Sequence, residues 1–197
     1  MILLSRTEVN KFFHLIDSHS YEEALPYGQS LLKKDPFDGA GIRYGVLSAC
    51  AVLGKSRIAL NTAKKIVEPL IDDETKKKWD KKFSTNKEAR DTAWLLEAEP
   101  VLVYLLSMAY WKENKFDKAK ETIAAMLGWL KGQGGRWLDQ FIDLTESVER
   151  EEDYMIQKKK LNEGYNPDSA GAFLACVDVP FDVIRDFNKW LAVALYE

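Results

Sequence analysis

The chain has 197 residues, of which 46% are hydrophobic and 30% charged, a composition that supports one domain with a real core and excludes a disordered chain. A formal net charge of -3 argues against nucleic acid as the default ligand, since duplex binders carry a net basic face. No window approaches the ~20 apolar residues of a membrane span, and the start "MILLSRTEVNKFFHLID" turns charged too soon for a signal peptide, so a cytoplasmic protein without membrane association is expected. Cys50 and Cys176 belong to no CxxC or Cys/His cluster, which predicts reduced, buried thiols rather than a zinc site or a disulfide.

In chain order, Val9, Phe12, Phe13, Leu15 and Ile16 recur at helical spacing, and "DSHS" stops that helix and caps the next. In "SYEEALPYGQSLLKKDP" the buried stripe is Tyr21, Ala24, Leu25, Gly28, Leu31 and Leu32, with acids in the first turn and lysines in the last. Pro36 ends the helix because it disfavours helical geometry at Asp35. These two helices make a hairpin.

The second of them resembles the second helix of a tetratricopeptide repeat, with Tyr21, Ala24 and Pro36 on the aromatic, small-residue and proline positions of that pattern. Gly28 stands where the pattern has an aromatic. A lone hairpin cannot cover its apolar face, so further units are expected. "GAGIRYGVLSACAVLGKSRIALNTAKKIVEP" supplies one, turning at Gly54, with Ala59 spaced from Ala24 by nearly one ~34-residue period. "VLVYLLSMAYWKENKFDKAKETIAAML" supplies another through Leu106, Ala109, Tyr110, Phe116, Ala119 and Ile123, with Asn114 at its turn.

The longer gap before Ala119 matches a segment of distinct composition, residues 72–99, read as an insertion that begins as a charged loop and carries an extra helix over its second half. After Leu130 the pattern degrades through the glycine-rich "KGQGGRW", a helical stretch from Trp137, the loop "NEGYNPDSAG" and a last helix opened by Pro180. The fold expected is therefore all-α: a right-handed array of antiparallel helical hairpins over 1–130, an α-solenoid of the tetratricopeptide kind, with a divergent helical cap over 131–197.

Few residues suggest chemistry. His14 and His19 lack the i, i+4 spacing of a helical metal pair. "GQGG" has no following Lys-Ser/Thr and follows no strand. The acidic run "ESVEREEDY" lacks the spacing of a calcium loop and reads as a solvated helix face. The expectation is a protein that is not an enzyme, with no metal site and no cofactor.

In repeats of this kind the first helices line a concave groove, here Val9, Asn10 and Phe13, then Tyr44 and Ser48, then Tyr104, Met108 and Trp111. That surface suits an amphipathic helix or apolar peptide, so the expected partner is another protein, and the chain reads as an adaptor or subunit of a larger assembly. The chain's own C-terminal helix is the other occupant the pattern allows. The alternative function is an RNA- or DNA-associated subunit using Lys76, Lys77, Lys78, Lys81 and Lys82 on phosphates, with Trp79 stacking on a base.

Overall fold

Three turns of one backbone shape organise the chain. At His19, Gly54 and Asn114 the backbone enters the left-handed region, with φ of 57°, 61° and 59°. The next residue in each case returns its N–H to the carbonyl five residues back: Ser20 to Leu15 at 2.8 Å, Lys55 to Cys50 at 2.9 Å and Lys115 to Tyr110 at 2.9 Å. This bond ties the new helix to a carbonyl at the end of the old one, and it reverses the chain into the next helix. Five residues after each turn residue lies an alanine, Ala24, Ala59 or Ala119, and all three are fully buried. A methyl group there lets the two helices of a hairpin approach closely.

The computed structural model describes residues 4–68, 71–98, 100–133, 150–163 and 177–196. These residues form ten helices and no strand: α1 Arg6–Asp17, α2 Tyr21–Lys34, α3 Ile42–Leu53, α4 Ser56–Val67, α5 Asp73–Lys82, α6 Lys87–Ala98, α7 Pro100–Lys112, α8 Phe116–Gln133, α9 Glu151–Glu163 and α10 Phe181–Tyr196. No helix among the described residues is long and apolar enough to cross a membrane. The hairpins are α1–α2, α3–α4 and α7–α8. The expected helix over Trp137–Val148 and the loop "NEGYNPDSAG" fall largely outside the described residues.

Local signals explain the helix ends. Ser5 and Glu8 form a reciprocal capping box at α1, and Glu8 also takes Lys34 at 2.6 Å, joining the start of α1 to the end of α2. Lys34 first, and then Ser5, holds the Glu8 carboxyl down at about 2. Ser20 makes no side-chain cap bond; its hydroxyl meets that of Ser18 at 3.2 Å instead. Asp35, before Pro36, leaves helical geometry as expected. The absence of an aromatic at position 28 has a plain cause: a Cβ on Gly28 would stand 2.5 Å from both the Phe12 ring and Val46. The fully buried Phe12 ring already fills that space.

Packing then joins the hairpins. Helix α3 lies against both α2 and α7, and α7 against α8. The α3–α4 and α7–α8 turns meet directly: a Cβ on Gly54 would stand 3.2 Å from the Glu113 side chain, and the Ser56 hydroxyl donates to the Glu113 carboxylate. Hairpins two and three are thus neighbours although the insertion separates them in sequence.

The insertion is helical in both halves, which corrects the expectation of a loop followed by one helix. Asp72 caps α5 by accepting from the Glu74 and Thr75 N–H groups, each at 2.9 Å. Helix α6 braces both neighbours: Asp91 takes Lys64 of α4 at 2.9 Å, and Glu88 accepts from Tyr110 of α7 at 2.6 Å and from Lys118 of α8 at 3.0 Å.

Ala59→Leu should lower stability by about 1–3 kcal/mol through overpacking between α3 and α4. A urea melt measures it, and an unchanged midpoint contradicts the packing described.

Candidate functional site

The residues expected to line the groove fall into two rows set by the turns. Counted back from the left-handed turn residue, Val9, Tyr44 and Tyr104 each stand ten positions before it, and Phe13, Ser48 and Met108 six before. Helix α3 touches both α1 and α7, and these positions recur at the same distance from each turn. Asn10 and Trp111 flank these rows.

Helix α10 covers one part of this surface. Tyr104, Ser48 and Met108 are fully buried. The Tyr104 hydroxyl donates to Asn188 Oδ1 at 2.7 Å, and its ring meets Phe187 edge-on with centroids 5.3 Å apart. Burial raises the Tyr104 hydroxyl well above its ordinary pKa. Trp111 also meets Phe187, at 5.6 Å, and Phe116 meets Trp190 at 6.0 Å. At the other end of this segment the Asp178 N–H donates to the Ser48 hydroxyl at 3.0 Å, and the Asp178 carbonyl accepts from the Tyr21 hydroxyl at 3.3 Å. Burial, and then the Asp178 charge, raises the Tyr21 pKa. The segment from Asp178 to Trp190 therefore touches all three hairpins. Tyr154 of α9 stacks on Phe181 at 4.9 Å, packing α9 against the start of α10.

Sequence shows why α10 lands this way up. Phe181, Ile184, Phe187, Leu191 and Ala194 recur at helical spacing and are buried, while Asp182, Asp186, Lys189 and Val193 on the opposite side are exposed. Pro180 stands just before the helix rather than inside its first turn, and its carbonyl accepts from Val183 and Ile184.

The other part of the surface stays open. Val9, Phe13 and Tyr44 are only partly buried, and Asn10 is exposed. Phe13 meets Phe12 edge-on at 5.3 Å. The Arg43 guanidinium lies 4.7 Å above the Tyr44 ring and is held by Asp38, which accepts from the Arg43 N–H at 2.9 Å and from Nη1 at 3.3 Å. Asp38 also accepts from the Ile42 N–H at 2.6 Å, so one buried carboxylate both caps α3 and sets Arg43 over Tyr44. Neither Arg43 nor Asp38 stands out in the sequence pattern, where Pro36 marks only the end of α2.

No family model, curated protein or solved structure matches the chain.

The basic segment forms a separate surface on α5. Lys76 pairs with Glu68 at 2.8 Å and lies 5.1 Å above the Trp94 ring. Lys77, Lys78, Lys81 and Lys82 are exposed and form no ion pair among the described residues. Trp79 stacks on Phe83 at 5.4 Å. Elsewhere, His14 is exposed and His19 serves the first turn, stacked on Tyr21 at 5.7 Å. Cys50 is buried, its thiol pushed up to about 12 by desolvation, and Cys176 lies outside the described residues. Among the described residues no group of three or more His, Cys, Asp or Glu is placed to hold a metal ion.

Tyr104→Ala combined with Met108→Ala should cost several kcal/mol, since large-to-small changes in a core cost about 2–5 kcal/mol each. Phe13→Ala with Tyr44→Ala should cost clearly less, because those side chains are only partly buried. Thermal melts followed by circular dichroism compare the two pairs, and equal losses would contradict the division into covered and open parts.

Proposed function

We propose that the chain is a non-catalytic protein-binding module of the tetratricopeptide-like kind, an adaptor or assembly subunit. In this reading, a helix or apolar peptide of another protein lies on the strip formed by Val9, Asn10, Phe13 and Tyr44. The observation that carries the reading is the continuation of the two rows beyond α10. The rows that meet the α10 segment at Ser48 and Tyr104 run on to Tyr44, Val9 and Phe13, which are only partly buried.

The chemistry of the strip supports the same reading. Aromatic side chains carry a disproportionate share of interface energy because they bury much area at little entropic cost. Arg43, held by Asp38 and donating to the Tyr44 hydroxyl, fixes the Tyr44 ring at the edge of the strip. The equivalent turns and buried alanines of the three hairpins support the resemblance to tetratricopeptide repeats. Ser48, Tyr104 and Trp111 take the complementary role of fixing α10 so that the strip ends at a defined edge, with Met108 buried beneath.

A photo-crosslinking residue at the exposed Asn10 position, introduced in the native source, tests this. Crosslinks to a second protein are expected, and Phe13→Ala with Tyr44→Ala should abolish them while leaving a cooperative melt. Crosslinks that persist unchanged in the double variant, or that form only within the chain, would overturn the reading.

A further inference from the structure

Helix α5 contributes no buried residue, so core packing does not dictate its composition. A free helix of this length is marginal in water. This one is held by the Asp72 cap, by Lys76 on Glu68 and by Asp80 on Arg90 at 3.4 Å. Those pairs use the charges on the side of α5 that meets its neighbours.

The remaining lysines share another side. Lys77, Lys78, Lys81 and Lys82 stand at i, i+1, i+4 and i+5, which places them on one face across roughly 8 Å of helix axis. Asp73 and Glu74 lie one turn earlier on that face and bound the positive patch at its N-terminal end. Along α5 itself, positive charge outside the Lys76–Glu68 pair is therefore confined to the last two turns. A long polyanion laid along α5 would run from these lysines onto Asp73 and Glu74. The rings are also roofed: the Lys82 ammonium lies 4.9 Å above Trp79 and 5.3 Å above Phe83, and Lys78 lies 5.5 Å above Trp79. An open aromatic platform for stacking bases, which single-strand binders use, is therefore lacking at Trp79.

We propose that this face of α5 docks a short acidic segment of a partner protein, with carboxylates spaced one helical turn apart. Residues i and i+4 of an acidic helix stand about 6 Å apart along the axis, as do Lys77 and Lys81 or Lys78 and Lys82. Two carboxylates can then meet two lysine pairs at once. Repulsion from Asp73 and Glu74 keeps the segment over the C-terminal half of α5 and sets its register. The site is distinct from the apolar strip on α1 and α3, and either can be lost without the other.

The test uses the full chain and a fluorescein-labelled alanine-based peptide carrying glutamates at i and i+4, followed by fluorescence anisotropy. A glutamine version of the peptide and a single-stranded RNA of equal charge are the comparison probes. The acidic peptide should bind, and its affinity should fall about ten-fold from low to physiological ionic strength. Changing Lys77, Lys78, Lys81 and Lys82 to Gln should weaken it by at least about ten-fold, with an unchanged circular dichroism spectrum because all four are exposed. Phe13→Ala with Tyr44→Ala should leave peptide binding intact, so failure at one surface is not mistaken for failure at the other. Tighter binding of the RNA than of the acidic peptide would reassign the face to nucleic acid and overturn the proposal. Undiminished peptide binding in the four-lysine variant, or equal binding of the glutamine peptide, would overturn it as well.

Discussion

Close approach of the two helices in each hairpin is the constraint on which the structure depends. It requires a left-handed turn residue at His19, Gly54 and Asn114 and, five residues on, a side chain no larger than a methyl at Ala24, Ala59 and Ala119. Histidine and asparagine pay a steric penalty in that backbone region, which glycine avoids. The N–H bonds from Ser20 to Leu15 and from Lys115 to Tyr110 offset it. Once the turns are fixed, the register of α1, α3 and α7 is fixed too. The rows through Val9, Tyr44 and Tyr104 and through Phe13, Ser48 and Met108 are a consequence of that register.

Helix α10 uses the rows to join the hairpins. Its segment carries polar anchors on both hairpin two and hairpin three, the Asp178 N–H on Ser48 and Asn188 on Tyr104, with Phe187 between Tyr104 and Trp111. Buried polar bonds of this kind specify one seating, because a slipped helix would leave those groups buried and unpaired. Apolar burial alone would tolerate several registers. What remains uncovered is the edge at α1 and the first part of α3, where Asp38 and Arg43 organise the rim.

Much of this was legible in the sequence because it is written in local patterns. The turns at Gly54 and Asn114, the alanines and the stop at Pro36 follow from spacing within a few residues of each turn, and the row positions from the resemblance to the repeat. Three features were not. Helix α5 lacks an apolar stripe, since it buries nothing, and its supports Glu68 and Arg90 lie on other elements. The glycine at 28 departs from the repeat pattern because Phe12 of the preceding helix already fills the space. The amphipathic stripe of α10 was visible, but the rows read the same whether they receive a helix of this chain or of another. Only the three-dimensional contacts of Asp178, Phe187 and Asn188 assign the covered part to α10.

Native-state hydrogen exchange on the full chain tests the central claim, that α10 is seated on the shared face of the three hairpins, most directly. The account predicts that amides of α10 between Ile184 and Leu191 exchange as slowly as those of α3 and α7, opening only with the whole array, whereas the unburied α5 exchanges early. Exchange of α10 at the rate of α5, with α3 and α7 still protected, would contradict it.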